Sequence, residues 1–323
     1  MASGTIETKT VWMNGEFVDA AKATVPFLTP GFHYGIGVFE GIRCYATVDG
    51  PAVFRLTEHI DRLLDSARCL GFRELPWTAE ELTEAVDETV ERNGYAECYV
   101  RPHIWLDGGG WNLNIDSGTP GVGIAVWPWK NLFGSEALEK GVRANVSSYT
   151  RHHPNVTATK AKISGNYVNS VLAKTESVRL GFDEAILLDP AGYVAECTGA
   201  NLFLVRGGKI VTPPSASVLE GITRDSLMTL AGDLGIPVAE SPVSRDQLYI
   251  ADELFVCGTA AECVALREVD FRTIGTGVAG PVTRALQAAY HDAVTGRHAR
   301  SADWCHYVDR AEPRRIASFG RRR

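Results

Sequence analysis

Two amines stand two residues apart in the stretch Thr157-Ala-Thr-Lys160-Ala-Lys162-Ile-Ser-Gly-Asn-Tyr167. Alternate side chains of a strand share a face, so an extended segment would aim Lys160 and Lys162 the same way. Each is either an ordinary solvated lysine or a chemical tool. An exposed lysine is protonated and is no nucleophile. Burial beside other positive groups can bring its pKa down towards ~7–8 and free the lone pair.

Other stretches carry chemistry on the same terms. In Leu219-Glu-Gly221-Ile222-Thr223-Arg-Asp-Ser226 a glycine precedes an amphipathic run. That is either a helix start with N–H groups free for an anion, or an ordinary capped helix. Val256-Cys-Gly258-Thr259-Ala260-Ala-Glu262 ends an apolar run in small residues. A ligand could approach the backbone there, or the chain simply turns. Glu196, followed by Cys197-Thr-Gly-Ala-Asn201, is either a carboxylate for a ligand nitrogen or the polar end of a strand. Tyr99 and Arg101 share a face if extended and could grip a carboxylate, or form a surface pair. Pro30-Gly-Phe-His-Tyr34-Gly35 and Phe39-Glu-Gly41-Ile-Arg43 complete the set.

These residues need a frame. Thr10 to Val18 reads as two strands about an Asn14-Gly15 turn. Glu58 to Leu70 has apolar residues at helical spacing, and Thr78 to Asn93 is a helix opened by a Thr78–Glu81 capping box. Cys98 to Leu106 and Gly121 to Trp127 read as strands. Past residue 140 the pattern predicts strands at 143–148, 184–188, 193–196, 201–205, 209–211 and 253–257. Helices are expected at 167–180, 222–234, 244–249 and 282–295. The expected fold class is α+β, with a small N-terminal domain over residues 1–130, a linker over 131–140 and a larger domain over 141–310. Residues 311–323 read as a flexible basic tail.

Bulk properties narrow the classes. Over 323 residues, 45% are hydrophobic and 22% charged, enough apolar material for a sizeable core. A net charge of −7 opposes a nucleic-acid role for the whole chain, which would need a basic face. Seven cysteines with no C-x-x-C spacing indicate neither a disulfide framework nor a zinc site, and no metal site is expected. No apolar run reaches the ~20 residues of a membrane span, so a cytoplasmic protein is expected.

In order along the chain, several motifs resemble the branched-chain aminotransferase family of fold-type IV pyridoxal-phosphate (PLP) enzymes. They are His33-Tyr-Gly35, Val38-Phe-Glu-Gly-Ile-Arg43, His59-Ile-Asp-Arg62-Leu63, Tyr99-Val-Arg-Pro102, Lys162-Ile-Ser-Gly-Asn-Tyr167, Glu196, Leu219-x-Gly-Ile-Thr223 and Gly258-Thr-Ala-Ala-Glu262. The resemblance runs from about Val11 to about Gly296. It implies two α/β domains joined by an interdomain loop. It also implies that Lys162, five residues before Tyr167, forms the Schiff base with PLP. Tyr167 then meets the phenolic oxygen and Glu196 the pyridine nitrogen. Arg62, Gly221, Ile222, Thr223 and Thr259 would take the phosphate, with Leu219 against the ring.

The same resemblance implies transamination between an L-amino acid, branched-chain or related, and 2-oxoglutarate. Tyr99, Thr259 and Ala260 would meet the substrate's α-carboxylate, and Arg101 and Tyr34 a distal one. Phe39, Gly41, Trp111 and Trp129 would complete the pocket. Relatives are at least homodimers, with a neighbour's loop closing each site. Leu132 departs from a common tyrosine, Trp111 from a smaller apolar residue, and Ala200 from a commoner Glu or Ser. A D-amino-acid or (R)-amine transaminase, or an aminodeoxychorismate lyase, is the alternative of the same fold. A catalytically dead scaffold is the alternative of another class.

Overall fold

The computed structural model describes residues 6–134 and 136–308. The chain divides into two compact units. One comprises the residues up to Trp129 together with the segment from Asp303, and the other is Lys130–Ala302.

The first unit opens with the expected hairpin, β1 (Thr10–Met13) and β2 (Glu16–Asp19). Both Asn14 and Gly15 take positive φ at its turn, as a tight two-residue turn requires. A short helix α1 (Pro30–Tyr34) leads into β3 (Gly37–Phe39), β4 (Ile42–Thr47) and β5 (Gly50–Phe54). Helices α2 (Leu56–Leu70) and α3 (Ala79–Asn93) follow, then the long hairpin β6 (Cys98–Gly109) and β7 (Gly118–Trp127). The Thr78–Glu81 capping box is formed, each side chain bonding the other's backbone N–H.

Ile60, Leu63, Leu82 and Val86 on the helices are buried, as are Val100, Ile104, Ile124 and Val126 on β6 and β7. Each such side chain contributes about 1.5–3 kcal/mol by leaving water. The apolar stripe read at helical spacing in 58–70 is therefore the face that anchors α2, and with it Arg62.

The second unit begins with α4 (Ala137–Lys140) and β8 (Val142–Thr150). Residues 131–140, expected as a linker, thus include a helical turn and belong to this unit. The lysine stretch is not a strand. Lys160 lies in a turn, Lys162 in irregular chain, and the α5 helix (Tyr167–Arg179) starts five residues on. The alternation that would align the two amines therefore does not apply.

Strands β9 (Glu184–Leu188), β10 (Val194–Cys197), β11 (Asn201–Arg206) and β12 (Lys209–Thr212) precede α6 (Ile222–Asp233). After β13 (Val238–Glu240) and α7 (Arg245–Tyr249) come β14 (Glu253–Gly258), β15 (Glu262–Val269), β16 (Arg272–Thr273) and α8 (Pro281–Val294). The sheet order is β10-β9-β8-β15-β14-β11-β12-β13, with β16 beside β15. Its centre pairs β9, β8 and β15 in parallel, and antiparallel ladders flank them. The sequence pattern does not mark residues 262–269 as a strand, although β15 lies at the centre of this sheet.

The chain then returns. A strand β17 (Cys305–Tyr307) pairs with β5, giving the first unit the order β17-β5-β4-β6-β7-β1-β2 with β3 beside β6. The sequence pattern carries the second domain to residue 310; the ladder to β5 is what draws this segment back to the first unit. The expected tail over 311–323 lies outside the described residues.

Candidate active site

In the second unit the groups gather where β8, β10 and the chain before α6 meet. Arg151, just past β8, is fixed by its backbone N–H donating to the Leu188 carbonyl at 2.8 Å. One cleft is lined by Arg151, His152, Ala161, Lys162, Tyr167 and Leu219, among others. Lys162 reaches it from a loop closed on itself by Asn166. The Asn166 Oδ1 accepts from the Thr157 hydroxyl at 2.7 Å, and its amide donates to the Ala158 carbonyl at 3.3 Å. Tyr167 opens α5 directly after that loop.

Lys160 goes elsewhere. Its Nζ donates to the carbonyls of Ser215 and Val218 and stands 3.1 Å from Glu220 Oε1. It ties the lysine loop to the segment that precedes α6. The pair of amines thus separates into one facing the cleft and one clasping two loops.

Glu196 is 4% exposed. The register of β10 against β9 shifts between Val194 and Glu196, a bulge of the kind that re-aims a side chain. Arg151 Nε donates to its Oε1 at 2.7 Å. Asn201 Nδ2 and the Leu219 N–H each donate to Oε2 at 3.3 Å. Burial, the largest effect, leaves the Glu196 carboxyl above its ordinary range, and the adjoining Arg151 charge and hydrogen bond, the Leu219 N–H and Lys162 offset that only in part.

Gly221 is the N-cap of α6 and offers no side-chain cap. A Cβ there would stand 2.0 Å from Asn201 Oδ1, so only glycine fits. Ile222 and Thr223 form the first turn and are buried. A 12-residue helix whose first N–H groups have no side-chain cap is suited to a phosphate. In the Gly258-Thr259-Ala260 turn, the Ala261 N–H donates to the Gly258 carbonyl at 3.1 Å. The Leu132 N–H donates to the Ala260 carbonyl at 2.8 Å, which sets residue 132 beside that turn.

The first unit holds two further groups. Glu40 is fully buried and takes Arg62 in a two-pronged pair, Nε to Oε1 at 2.7 Å and Nη2 to Oε2 at 2.9 Å. His59, one helical turn before Arg62, stands 2.7 Å from the same carboxylate. Beside them, Tyr99 meets Trp127 and Trp129 at ring separations of 5.2 and 5.4 Å. The Arg101 guanidinium lies 4.6 Å from the Phe39 ring and 5.4 Å from that of Tyr99. Gly41 has no room for a Cβ, which would fall 1.9 Å from the Tyr99 hydroxyl. Arg101 Nε is buried without a hydrogen-bond partner in the protein, a donor left over for whatever lies against it.

The sequence motifs group Tyr34 and Trp111 with these residues. Their partners differ. Their rings stand 5.9 Å apart, and His33 lies 4.8 Å from Trp111. With Phe27 and Phe32 they form an exposed aromatic cluster.

Sequence reasoning does not single out Arg151 and Asn201, which bond to Glu196, or Glu40, which bonds to Arg62. Glu40 and Asn201 lie inside quoted motifs; nothing in the spacing marks Arg151, which gains its meaning only when β8 is placed near β10. The donor set fits PLP. The second unit offers an amine, a phenol and a buried carboxylate, with a helix N-terminus that a Cβ would obstruct.

Comparison with known proteins agrees. The family model for class IV amino-transferases matches residues 37–269. The branched-chain-amino-acid aminotransferase of Pseudomonas aeruginosa is 45% identical over 294 residues, 91% of this chain and 95% of that one. The crystal structure of the Escherichia coli branched-chain amino acid aminotransferase superposes with a TM-score of 0.92 at 42% identity, covering 94% of this chain and all of that one. The branched-chain amino acid aminotransferase of Thermoproteus uzoniensis, a thermophilic archaeon, solved with norvaline, gives a TM-score of 0.89 at 40% identity with the same coverage.

Proposed function

Because the chain belongs to the class IV amino-transferases, among their branched-chain-amino-acid members, we propose that it carries pyridoxal 5'-phosphate on Lys162 and transfers an amino group between a branched-chain L-amino acid and 2-oxoglutarate. The observation that carries this reading is the cleft that Lys162, Tyr167 and Leu219 line, with Glu196 bonded to the Leu219 N–H and to Arg151. When bound, the cofactor supplies a ring that withdraws electrons from the substrate's α-carbon.

The chain's own groups do the rest. Glu196, ionised, holds a proton on the ring nitrogen. The Tyr167 hydroxyl, lining the same cleft, would orient the ring. The Lys162 amine, once displaced, takes the proton from Cα, a transfer typically worth ~10²–10⁴ in rate. The first turn of α6, with Thr223, would receive the phosphate, and the family motifs assign Thr259 and Ala260 to the substrate's α-carboxylate. The family motifs assign Arg62 to phosphate, Tyr99 and Arg101 to carboxylates, and Phe39 and Trp129 to the substrate side chain. The orphaned Arg101 Nε supports its part.

A second copy of the chain is the proposed partner of the exposed aromatic cluster of Phe27, Phe32, Tyr34 and Trp111. All seven cysteines are free, which supports a reducing, cytoplasmic compartment. Among the described residues no helix is long and apolar enough to cross a membrane.

The test is a half-reaction screen of the PLP-loaded protein. L-Leucine, L-isoleucine, L-valine and L-glutamate should each bleach the visible band, while D-alanine and an (R)-amine leave it. The reverse pattern would replace this reading with the D-amino-acid alternative.

A further inference from the structure

We propose that Arg151 is a positioning residue that keeps Glu196 ionised and leaves its Oε2 as the oxygen presented to the cofactor's ring nitrogen. The inference rests on the reading that Glu196 faces that nitrogen.

A carboxylate 4% exposed does not stay charged by default; leaving water favours its neutral form. A neutral Glu196 could not hold a proton on a pyridine, and the ring would withdraw electrons less. Around Glu196 the charged and titratable groups are few. From β8 and the lysine loop come Arg151, His152, Lys162 and Tyr167; on β10 itself there is Cys197, and beyond it Glu184. Lys162 cannot be relied on for charge, since its amine is committed to the cofactor. His152 is pushed down by burial and by Arg151, so it is neutral near pH 7. Glu184 is itself satisfied by Lys174 and by the Thr198 hydroxyl. Cys197 is pushed well above the ordinary thiol range and adds no charge. Arg151 is therefore the one permanent cation within hydrogen-bond reach of Glu196 among these groups, and a guanidinium does not titrate in this range.

The geometry also divides the two oxygens. Arg151 holds Oε1 at 2.7 Å, whereas Oε2 receives only the two bonds of 3.3 Å from Asn201 and Leu219. Oε2 thus keeps the capacity for one short, charge-assisted bond. Arg151 is in turn held by α5: its Nη1 donates to Asn169 Oδ1 at 3.2 Å and Ser170 Oγ at 3.0 Å. Asn169 donates back to the Thr150 carbonyl at 2.9 Å. One side chain therefore locks the carboxylate to the helix whose first residue is Tyr167.

The experiment uses the full-length protein loaded with PLP labelled with ¹⁵N in the ring, and reads the nitrogen's chemical shift by NMR. In the wild type the shift should stay at the pyridinium position from pH 6 to 9, because the Arg151 charge that favours the Glu196 carboxylate does not itself titrate in this range. A deprotonation step near neutrality in the wild type would overturn the proposal without any variant. In Arg151→Met, and independently in Arg151→Gln, the shift should move to the neutral-pyridine position. The half-reaction should slow by about 10²-fold, typical for removing one preorganised charge contact. Arg151→Lys should restore the pyridinium signal. A pyridinium shift retained in both neutral variants would make Arg151 a structural residue only, whatever the rate. Failure of the wild type to bind the label would instead sink the parent assignment.

Discussion

Gly221→Ala tests how tightly the start of α6, the proposed phosphate site, is packed. The added Cβ would lie 2.0 Å from Asn201 Oδ1, 3.2 Å from Asn201 Cγ and 3.3 Å from Arg224 Cβ. Carbon and oxygen cannot approach so closely, so the Asn201 amide must turn away. That amide is buried and donates to both Glu196 Oε2 and the Leu219 carbonyl, at 3.3 and 3.1 Å. Both partners are acceptors, so a flipped amide offers no escape. Losing two buried hydrogen bonds costs about 1 kcal/mol each, and the overpacking about 1–3 kcal/mol more. The sum, about 3–5 kcal/mol, corresponds to a fall in Tm of about 10 °C for a unit of this size. Thermal unfolding of the apoprotein by circular dichroism reads it directly. The same substitution in an Asn201→Ala background should cost far less, since the obstructing side chain is gone. A Gly221→Ala protein as stable as the wild type, or a cost unchanged without Asn201, would refute the reasoning.

Lys162→Ala should abolish transamination, whereas Lys160→Ala should keep most turnover at saturating PLP but bind the cofactor more weakly, because its clasp to Ser215, Val218 and Glu220 is lost. Equal behaviour of the two variants in turnover and in PLP titration would contradict their separate roles. Glu40→Gln leaves Arg62 and His59 without their shared carboxylate, and breaking a buried pair of this kind costs about 3–5 kcal/mol; a denaturation midpoint equal to the wild type's would argue against the clamp. His103 is held down to about 4, chiefly by burial and then by the Arg101 charge. Its folded value lies below its ordinary 6.5, so the unfolded chain takes the proton first. Its stabilisation is complete above about pH 6.5 and is lost as the pH falls towards 4, by about 3 kcal/mol in all. His103→Gln should flatten that acid limb in urea titrations, and an unchanged slope would remove His103 as its cause.

Local signals carry far in this chain. The Asn14-Gly15 turn, the Thr78–Glu81 box and the stripe at Ile60 and Leu63 each state their structure in a few residues, and each forms. What is not legible depends on partners distant in sequence. β15 alternates little because it is buried along most of its length, with α4 and α8 packed on it, so no period marks it. β17 has three residues and exists only through its ladder to β5. The lysine stretch looks extendable, but Asn166 folds it into a closed loop. The site follows the same rule. Lys162, Tyr167, Glu196 and Thr223 stand in motifs, while Arg151 acquires a role only from the meeting of β8 and β10 across β9.

The most direct measurement is to reduce the PLP-loaded protein with borohydride, digest it, and locate the pyridoxyl mass by tandem mass spectrometry. The account predicts the tag on Lys162, within the loop closed by Asn166. A tag on Lys160 or on any other lysine, or a protein that takes no tag at all, contradicts it.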